Sequence, residues 1–148
     1  MNVLLTGGAG YIGSHAALSL LDSSHKVHII DNLSTGNETL IPKDAKFTNC
    51  NINDDEIISD LIKSNKFDLL MHFAGFIQVE ESVQNPNMYF ENNTNNAIKL
   101  FNICKKNNLK NIVFSSTAAA YGSVTKNKLV DENTILNPQN PYAESKIK

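Results

Sequence analysis

Tyr142 and Lys146 stand four residues apart directly after Pro141, where the sequence reads as the start of a helix, so their side chains share one face. A phenol ionises near about pH 10, too high to act as a base at neutral pH. A neighbouring ammonium favours the phenolate and lowers that value, and a further positive charge nearby lowers it more. The spacing alone is common. It gains meaning from Thr117, which follows the expected strand Asn111–Ser116 and offers a hydroxyl that could hold the oxygen whose proton Tyr142 removes. Such a set suits an alcohol whose carbon gives up hydride, and that chemistry needs an acceptor.

The acceptor's site is written at the other end of the chain. Val3–Thr6 is an apolar run of strand length, and Gly7, Gly10 and Gly13 follow it at three-residue intervals, with a helical pattern beginning at Tyr11. A strand turning through glycines into a helix exposes N–H groups and the positive end of the helix dipole, and a pyrophosphate can approach the bare backbone. Asp31 lies 18 residues after Gly13, at the end of the apolar run Lys26–Asp31. A carboxylate there can accept both hydroxyls of an adenosine ribose and repel a 2′-phosphate, which selects NAD over NADP. The bland alternative is a strand-end acid facing water. Ala74 and Gly75, after the run Phe67–Phe73, would let the same cofactor come close. His72, within that run, reads as packed and neutral. Glu80 and Glu81 lack a partner motif and read as a solvated loop.

The elements that must place these residues alternate. A helix is expected over Tyr11–Asp22 with Ile12, Ala16, Leu18, Leu20 and Leu21 on its apolar surface, then a strand over Lys26–Asp31 and a weaker one over Lys46–Cys50. Asn53 or Asp54 could cap a helix running to about Ser64, and Pro86–Lys106 holds a long helix candidate. The cluster Asn92–Asn96 is poor helix material, so tertiary contacts must favour it there. The stretch from Gly122 to Pro141 is long for a loop and reads as functional. Strands alternating with helices give an α/β fold, a doubly wound parallel sheet of Rossmann-like type.

Composition fits one dinucleotide-binding domain over residues 1–148: 41% hydrophobic, 19% charged, net charge −2. No basic surface for nucleic acid is evident, apolar runs are too short to span a membrane, and no secretory signal is visible. Cys50 and Cys104 form no metal-type cluster and read as reduced, buried thiols of a cytoplasmic protein. The chain reaches Lys148 without a helix stop signal, so it is expected to be the N-terminal part of a longer protein.

Gly7–His15, Asp31–Asn32, His72–Gly75, Glu81–Val83, Ser115–Thr117, Tyr121–Gly122 and Pro141–Tyr142 with Lys146 occur in the order seen in the extended short-chain dehydrogenase/reductase family, which the chain resembles throughout. The resemblance favours the branch that interconverts UDP-glucose and UDP-galactose in galactose metabolism. It implies NAD as cofactor and a UDP-sugar as substrate. Tyr142 would remove the proton from the sugar 4-hydroxyl, C4 would pass a hydride to the nicotinamide, and the 4-keto sugar would turn over before the hydride returns. Lys146 would assist Tyr142 and bind the nicotinamide ribose, and Thr117 with Tyr142 would touch the substrate. Further cofactor contacts implied are Gly7, Gly10, Tyr11, Ile12, Gly13, Asp31, Asn32, Leu33, Ser34, Thr35, Gly36, Asn51, Ile52, Phe73, Ala74, Gly75, Asn92 and Ser115. Dehydratases of the family carry an acid after the threonine, whereas here Ala118–Ala120 follows. Asn51 replaces a usual carboxylate, Ile77 a usual lysine and Glu80 a usual glycine. Family members are about twice as long, so the half that grips UDP is expected elsewhere. The resemblance also implies a homodimer of the whole protein and catalytic silence of the 148-residue piece.

Overall fold

The computed structural model describes residues 1–123 and 129–148, which form two compact units. The first comprises Met1–Gly75 and Asn96–Ser115, the second Phe76–Asn95 and Ser116–Lys148.

In the first unit, β1 (Asn2–Thr6), β2 (Lys26–Asp31), β3 (Lys46–Asn49), β4 (Leu69–His72) and β5 (Ile112–Phe114) form one sheet in the order β3-β2-β1-β4-β5, with every pairing parallel. Parallel neighbours need crossovers, and helices α1 (Tyr11–Asp22), α2 (Asp55–Asn65) and α5 (Asn96–Lys106) belong to the same unit. Alternation along the central strands sends side chains to two cores. Leu4 and Ile30 join Ile58 and Ile62 of α2 and Leu100 and Ile103 of α5 on one face. Leu5, Val27 and Ile29 meet Ala17, Leu20 and Leu21 of α1 on the other. The sheet is therefore wound on both faces, as the alternating pattern predicts. Burying one such leucine contributes about 2 kcal/mol, so β1, with Val3, Leu4 and Leu5 all fully buried, anchors the unit. Strand order reverses beside β1, and a crevice at the carboxyl ends of β1, β2 and β4 is where ligands of such sheets bind.

The expected bounds of α1 and β2 are those observed. Ile12 and Leu18 of α1 nevertheless stay exposed, so only part of its apolar surface is core. Strands β3, β4 and β5 are shorter than their apolar runs. Ile112 and Val113 of β5 remain exposed, so this edge strand is not covered on both sides in the way its composition suggested. Asp54, rather than Asn53, caps α2 by accepting the Ile57 N–H at 3.3 Å.

The second unit contains α3 (Val79–Gln84), α4 (Pro86–Tyr89), a π-helical turn (Phe90–Asn95), a 3-10 turn (Ala118–Tyr121) and α6 (Pro141–Ser145). The expected long helix over Pro86–Lys106 is thus helical in three parts, and the asparagine cluster takes the wider π turn. Of the loop Gly122–Pro141, residues 124–128 lie outside the described residues. Its described part is tied back by the Asn137 N–H to the Ala120 carbonyl at 2.8 Å and by the Ser123 hydroxyl to Gln139 Oε1 at 3.0 Å.

Candidate functional site

The glycine turn of the first unit is built so that no side chain fits. Gly7 adopts φ +75°, and a Cβ there would lie 2.5 Å from the Ala74 nitrogen. A Cβ on Gly13 would collide with the Gly7 carbonyl oxygen. Strand, turn and helix can therefore approach one another only through bare backbone. Gly10 differs: its Cβ would meet only the Gly7 oxygen, at 3.3 Å, so at this position the missing side chain leaves room beside the helix start. No side chain caps α1 and no acid lies in its first turn. The N–H groups of Tyr11 and Ile12 have no acceptor within the helix and offer themselves to an anion. Tyr11 is 77% exposed at that end.

Asp31, at the carboxyl end of β2, is buried. Its Oδ2 accepts the Ala9 N–H at 3.0 Å and its Oδ1 accepts the Leu33 N–H at 2.9 Å. The first bond ties the carboxylate to the glycine turn, and the second holds Leu33 in its left-handed conformation, φ +57°. Each oxygen keeps a lone pair for a further donor. Gly36 closes the loop beside it, since a Cβ there would sit 3.0 Å from Asp31 Oδ1. Asn32 continues the corner: its Nδ2 donates to Asn51 Oδ1 at 2.8 Å, and its Oδ1 accepts the Ser34 N–H at 3.0 Å. An uncapped helix start facing glycine backbone, with a buried carboxylate able to accept two hydroxyls, fits a dinucleotide whose adenosine ribose is unphosphorylated.

At the end of β4 the Phe73 N–H donates to the Thr6 carbonyl at 3.0 Å, fixing Phe73–Gly75 beside β1. His72 is buried, hydrogen-bonded to the Thr6 hydroxyl at 2.6 Å and stacked on Phe114. That is the packed role its setting predicts. The Ser115 N–H donates to the His72 carbonyl at 3.1 Å, so Ser115 also falls at the strand ends of this unit.

Thr117, Tyr142, Lys146 and Asn92 all lie in the second unit. Asn140 caps α6 by accepting the Ala143 N–H at 2.8 Å, and Pro141 fits the first helical position, which needs no N–H. The helix is short, ending at Ser145 with Lys146 as its αR cap residue. Lys146 is only 6% exposed, and burial pulls its amine down to about 8. Thr117 Oγ1 accepts the Ala119 N–H at 3.2 Å, capping the 3-10 turn and leaving its O–H to donate elsewhere. The neighbouring Ser116 hydroxyl reaches the Lys146 carbonyl at 3.1 Å, which joins the Thr117 segment to α6. Asn92 donates to Asn93 Oδ1 at 3.1 Å.

Four residues to which the sequence assigns no role in the site shape this unit. Tyr89, fully buried, packs edge-on against Tyr142 with ring centroids 6.5 Å apart. Its hydroxyl donates to Glu81 Oε2 at 2.8 Å and accepts the Gln78 N–H at 3.0 Å. Burial, and then the bond to Glu81, push Tyr89 up to about 12, so it stays a neutral phenol. Glu81 is therefore a structural acceptor on α3 and not part of a solvated loop. The other three, Asn93, Thr94 and Ser145, are linked by hydrogen bonds. The only signal for them in the sequence is the cost of so many asparagines in a helix.

Residues 3–148 match the NAD dependent epimerase/dehydratase family. The chain is 42% identical over 147 residues to the UDP-glucose 4-epimerase of Lactobacillus helveticus, an alignment covering 99% of this chain and 44% of that one. Its fold superposes with a TM-score of 0.91 on the UDP-Glc/GlcNAc 4-epimerase from Campylobacter jejuni, at 39% identity, covering 99% of this chain and 46% of that chain. It superposes with a TM-score of 0.93 on the UDP-glucose 4-epimerase of Thermus thermophilus in complex with NAD, at 35% identity, with 99% and 47% covered. The chain thus spans less than half the length of the relatives it matches. Those matches run over nearly the whole chain, which belongs to the NAD dependent epimerase/dehydratase family.

Proposed function

We propose that this chain is the cofactor-binding and proton-transfer part of a UDP-sugar 4-epimerase that interconverts UDP-glucose and UDP-galactose. The observation that carries the reading is a single chain with both an anion cradle tied to Asp31 and Thr117, Tyr142 and Lys146 grouped in one unit. Relatives named as 4-epimerases of UDP-sugars support it.

The pyrophosphate of NAD would rest on the Tyr11 and Ile12 N–H groups, with Gly10 giving room and Gly7 and Gly13 letting strand, turn and helix pack closely. Asp31 would accept the adenosine ribose hydroxyls, with Asn32–Gly36, Asn51 and Ile52 around that end. Phe73–Gly75, Asn92, Ser115, Tyr142 and Lys146 would serve the nicotinamide end. The bound nicotinamide would supply a reversible acceptor for the hydride of sugar C4. Tyr142 takes the proton from the 4-hydroxyl and later returns it. Thr117 donates its O–H to the same oxygen, which lets the carbon–oxygen bond acquire double-bond character without misplacing the sugar. Lys146, a buried amine, would bind the nicotinamide ribose. Ala118–Ala120, not a carboxylate, follow Thr117 in the 3-10 turn Ala118–Tyr121, and this favours epimerisation over dehydration.

The whole protein is expected to convert UDP-galactose to UDP-glucose with no steady change in NADH absorbance, because the hydride returns to the sugar. A steady accumulation of NADH would replace the reading with that of a net oxidoreductase. Tyr142→Phe is expected to lower kcat by about a thousandfold with NAD binding retained. Met1–Lys148 alone is expected to bind NAD and leave UDP-galactose unchanged, an expectation that turnover by this piece would overturn. The same reading makes the whole protein a cytoplasmic homodimer, which light scattering and fractionation check.

A further inference from the structure

Helix α6 has five residues, Pro141–Ser145, and cannot hold itself together by propagation. Its final carbonyls are orphans that need donors from outside the helix ladder. Each one finds a donor. The Ala143 carbonyl accepts the Lys146 N–H and the Glu144 carbonyl accepts the Ile147 N–H, both at 3.2 Å. The remaining three accept hydroxyls: Tyr142 from Ser145 at 2.7 Å, Ser145 from Thr94 at 2.9 Å and Lys146 from Ser116 at 3.1 Å. Asn93 completes the set. It is 2% exposed, and its carboxamide makes four bonds, which is its full capacity: it accepts the Phe76 N–H at 2.8 Å and an Asn92 amide hydrogen at 3.1 Å, and it donates to the Phe76 carbonyl at 3.0 Å and to Ser145 Oγ at 3.1 Å. Asn93 and Thr94 are consecutive. Both reach Ser145 from the π turn Phe90–Asn95. Such a turn is rare and frequent at functional positions.

We propose that the π turn is a clamp for the proton-transfer pair: Thr94 and Asn93 are positioning residues that grip Ser145 by its carbonyl and its hydroxyl and so fix Tyr142, three residues before it, and Lys146, the next residue. The inference rests on the proton-transfer role given above to Tyr142 and Lys146. Ser145 is the shared handle, since its own hydroxyl passes the constraint on to the Tyr142 carbonyl. The clamp also holds Lys146 in its buried position.

The test uses the whole protein with NAD, labelled with carbon-13 at the lysine ε position, and follows the Lys146 resonance, assigned with Lys146→Arg, through a pH titration. Titratable groups on the elements packed against α6 are Glu80, Glu81, Tyr89, Glu91 and Tyr121. Glu144, Lys148 and Tyr142 lie on the α6 stretch itself. The variants leave all of these unchanged, so a moved midpoint reports on the burial of Lys146. Thr94→Val, which replaces the hydroxyl by a methyl group of similar size, is expected to raise the Lys146 midpoint by about one unit toward the ordinary lysine value. It should also lower kcat about tenfold with KM for UDP-galactose unchanged. Thr94→Ser keeps the hydroxyl and is expected to restore both. Asn93→Ala should do more than Thr94→Val, and if it does not fold, the Thr94 pair still decides. An unmoved Lys146 midpoint in Thr94→Val, or equal behaviour of the Val and Ser variants, overturns the clamp. If the unaltered protein turns over no UDP-sugar, the epimerase reading falls, and the Lys146 titration still judges the clamp alone.

Discussion

Asp31 and Lys146 are both buried ionisable groups, and the protein treats them in opposite ways. Asp31 is met by two backbone N–H groups, from Ala9 and Leu33, whose positions are set by the glycine turn and by the loop after β2. Its charge is compensated by the fold. Lys146 is buried with its amine pushed down to about 8 by that burial, and the hydroxyls of Thr94 and Ser116 secure the backbone carbonyls around it. At Lys146 burial is the stronger influence, and it works against the charge. On the proposed function, the contrast separates recognition from chemistry. A group that only has to accept hydroxyls gains from a rigid, compensated site. A group that assists a proton transfer near neutral pH gains from being held where its protonation is finely balanced.

The largest effect is expected from breaking the backbone that serves Asp31. Gly7→Ala places a Cβ against the backbone of Ala74 at a positive φ, and should destabilise the first unit by about 3 kcal/mol or more and abolish NAD binding, read by urea unfolding and calorimetry.

Next comes Lys146→Met. A lysine whose folded value is lowered binds fewer protons folded than unfolded, so stability rises with pH from about 8 toward the ordinary lysine value, and below that window the burial cost is fully present. Removing the charge is therefore expected to stabilise the protein at pH 7, by on the order of 3 kcal/mol at most, and to flatten its stability above about pH 8, while lowering kcat. Chemical denaturation at pH 7 and 10 measures both. A Lys146→Met variant less stable than the parent at pH 7 would break the comparison.

Asp31→Asn is expected to do the reverse, since an amide nitrogen must face one of the two N–H donors. NAD affinity should fall about thirtyfold and stability by about 2 kcal/mol.

The smallest effect concerns Ile77, 73% exposed. Ile77→Lys should change stability by less than about 0.5 kcal/mol and tighten NAD a few-fold, measured by the rate of cofactor loss.

The same contrast decides what can be read ahead of the structure. Motifs made of missing side chains and local turns are written in consecutive residues, so the glycine turn, α1, β2 and Asp31 stand where periodicity and turn chemistry place them. Tyr142, Lys146 and Thr117 are singled out by type and spacing. What holds them is not. Thr94 and Ser145 are 51 positions apart, and a threonine in a polar stretch gives no sign of its acceptor. Glu81 misleads for a related reason, because its partner is a tyrosine hydroxyl eight positions on that looks apolar in a pattern. The asparagine run does carry a trace: its poor helix propensity requires compensation from elsewhere, and Asn93 shows where that compensation comes from.

Ser145 also sets an order of assembly. During synthesis the first unit has all its residues once Ser115 has emerged, while Phe76–Asn95 must wait about 50 residues more for its partner in α6. At the usual pace of about 5–20 residues per second that wait lasts several seconds. A waiting segment lined with leucines would seek any apolar surface in the meantime. Beside the ring of Tyr89, this segment grips α6 through an amide and a hydroxyl, which stay hydrated until Ser145 arrives, so the polar part of the clamp can be left unoccupied on a growing chain.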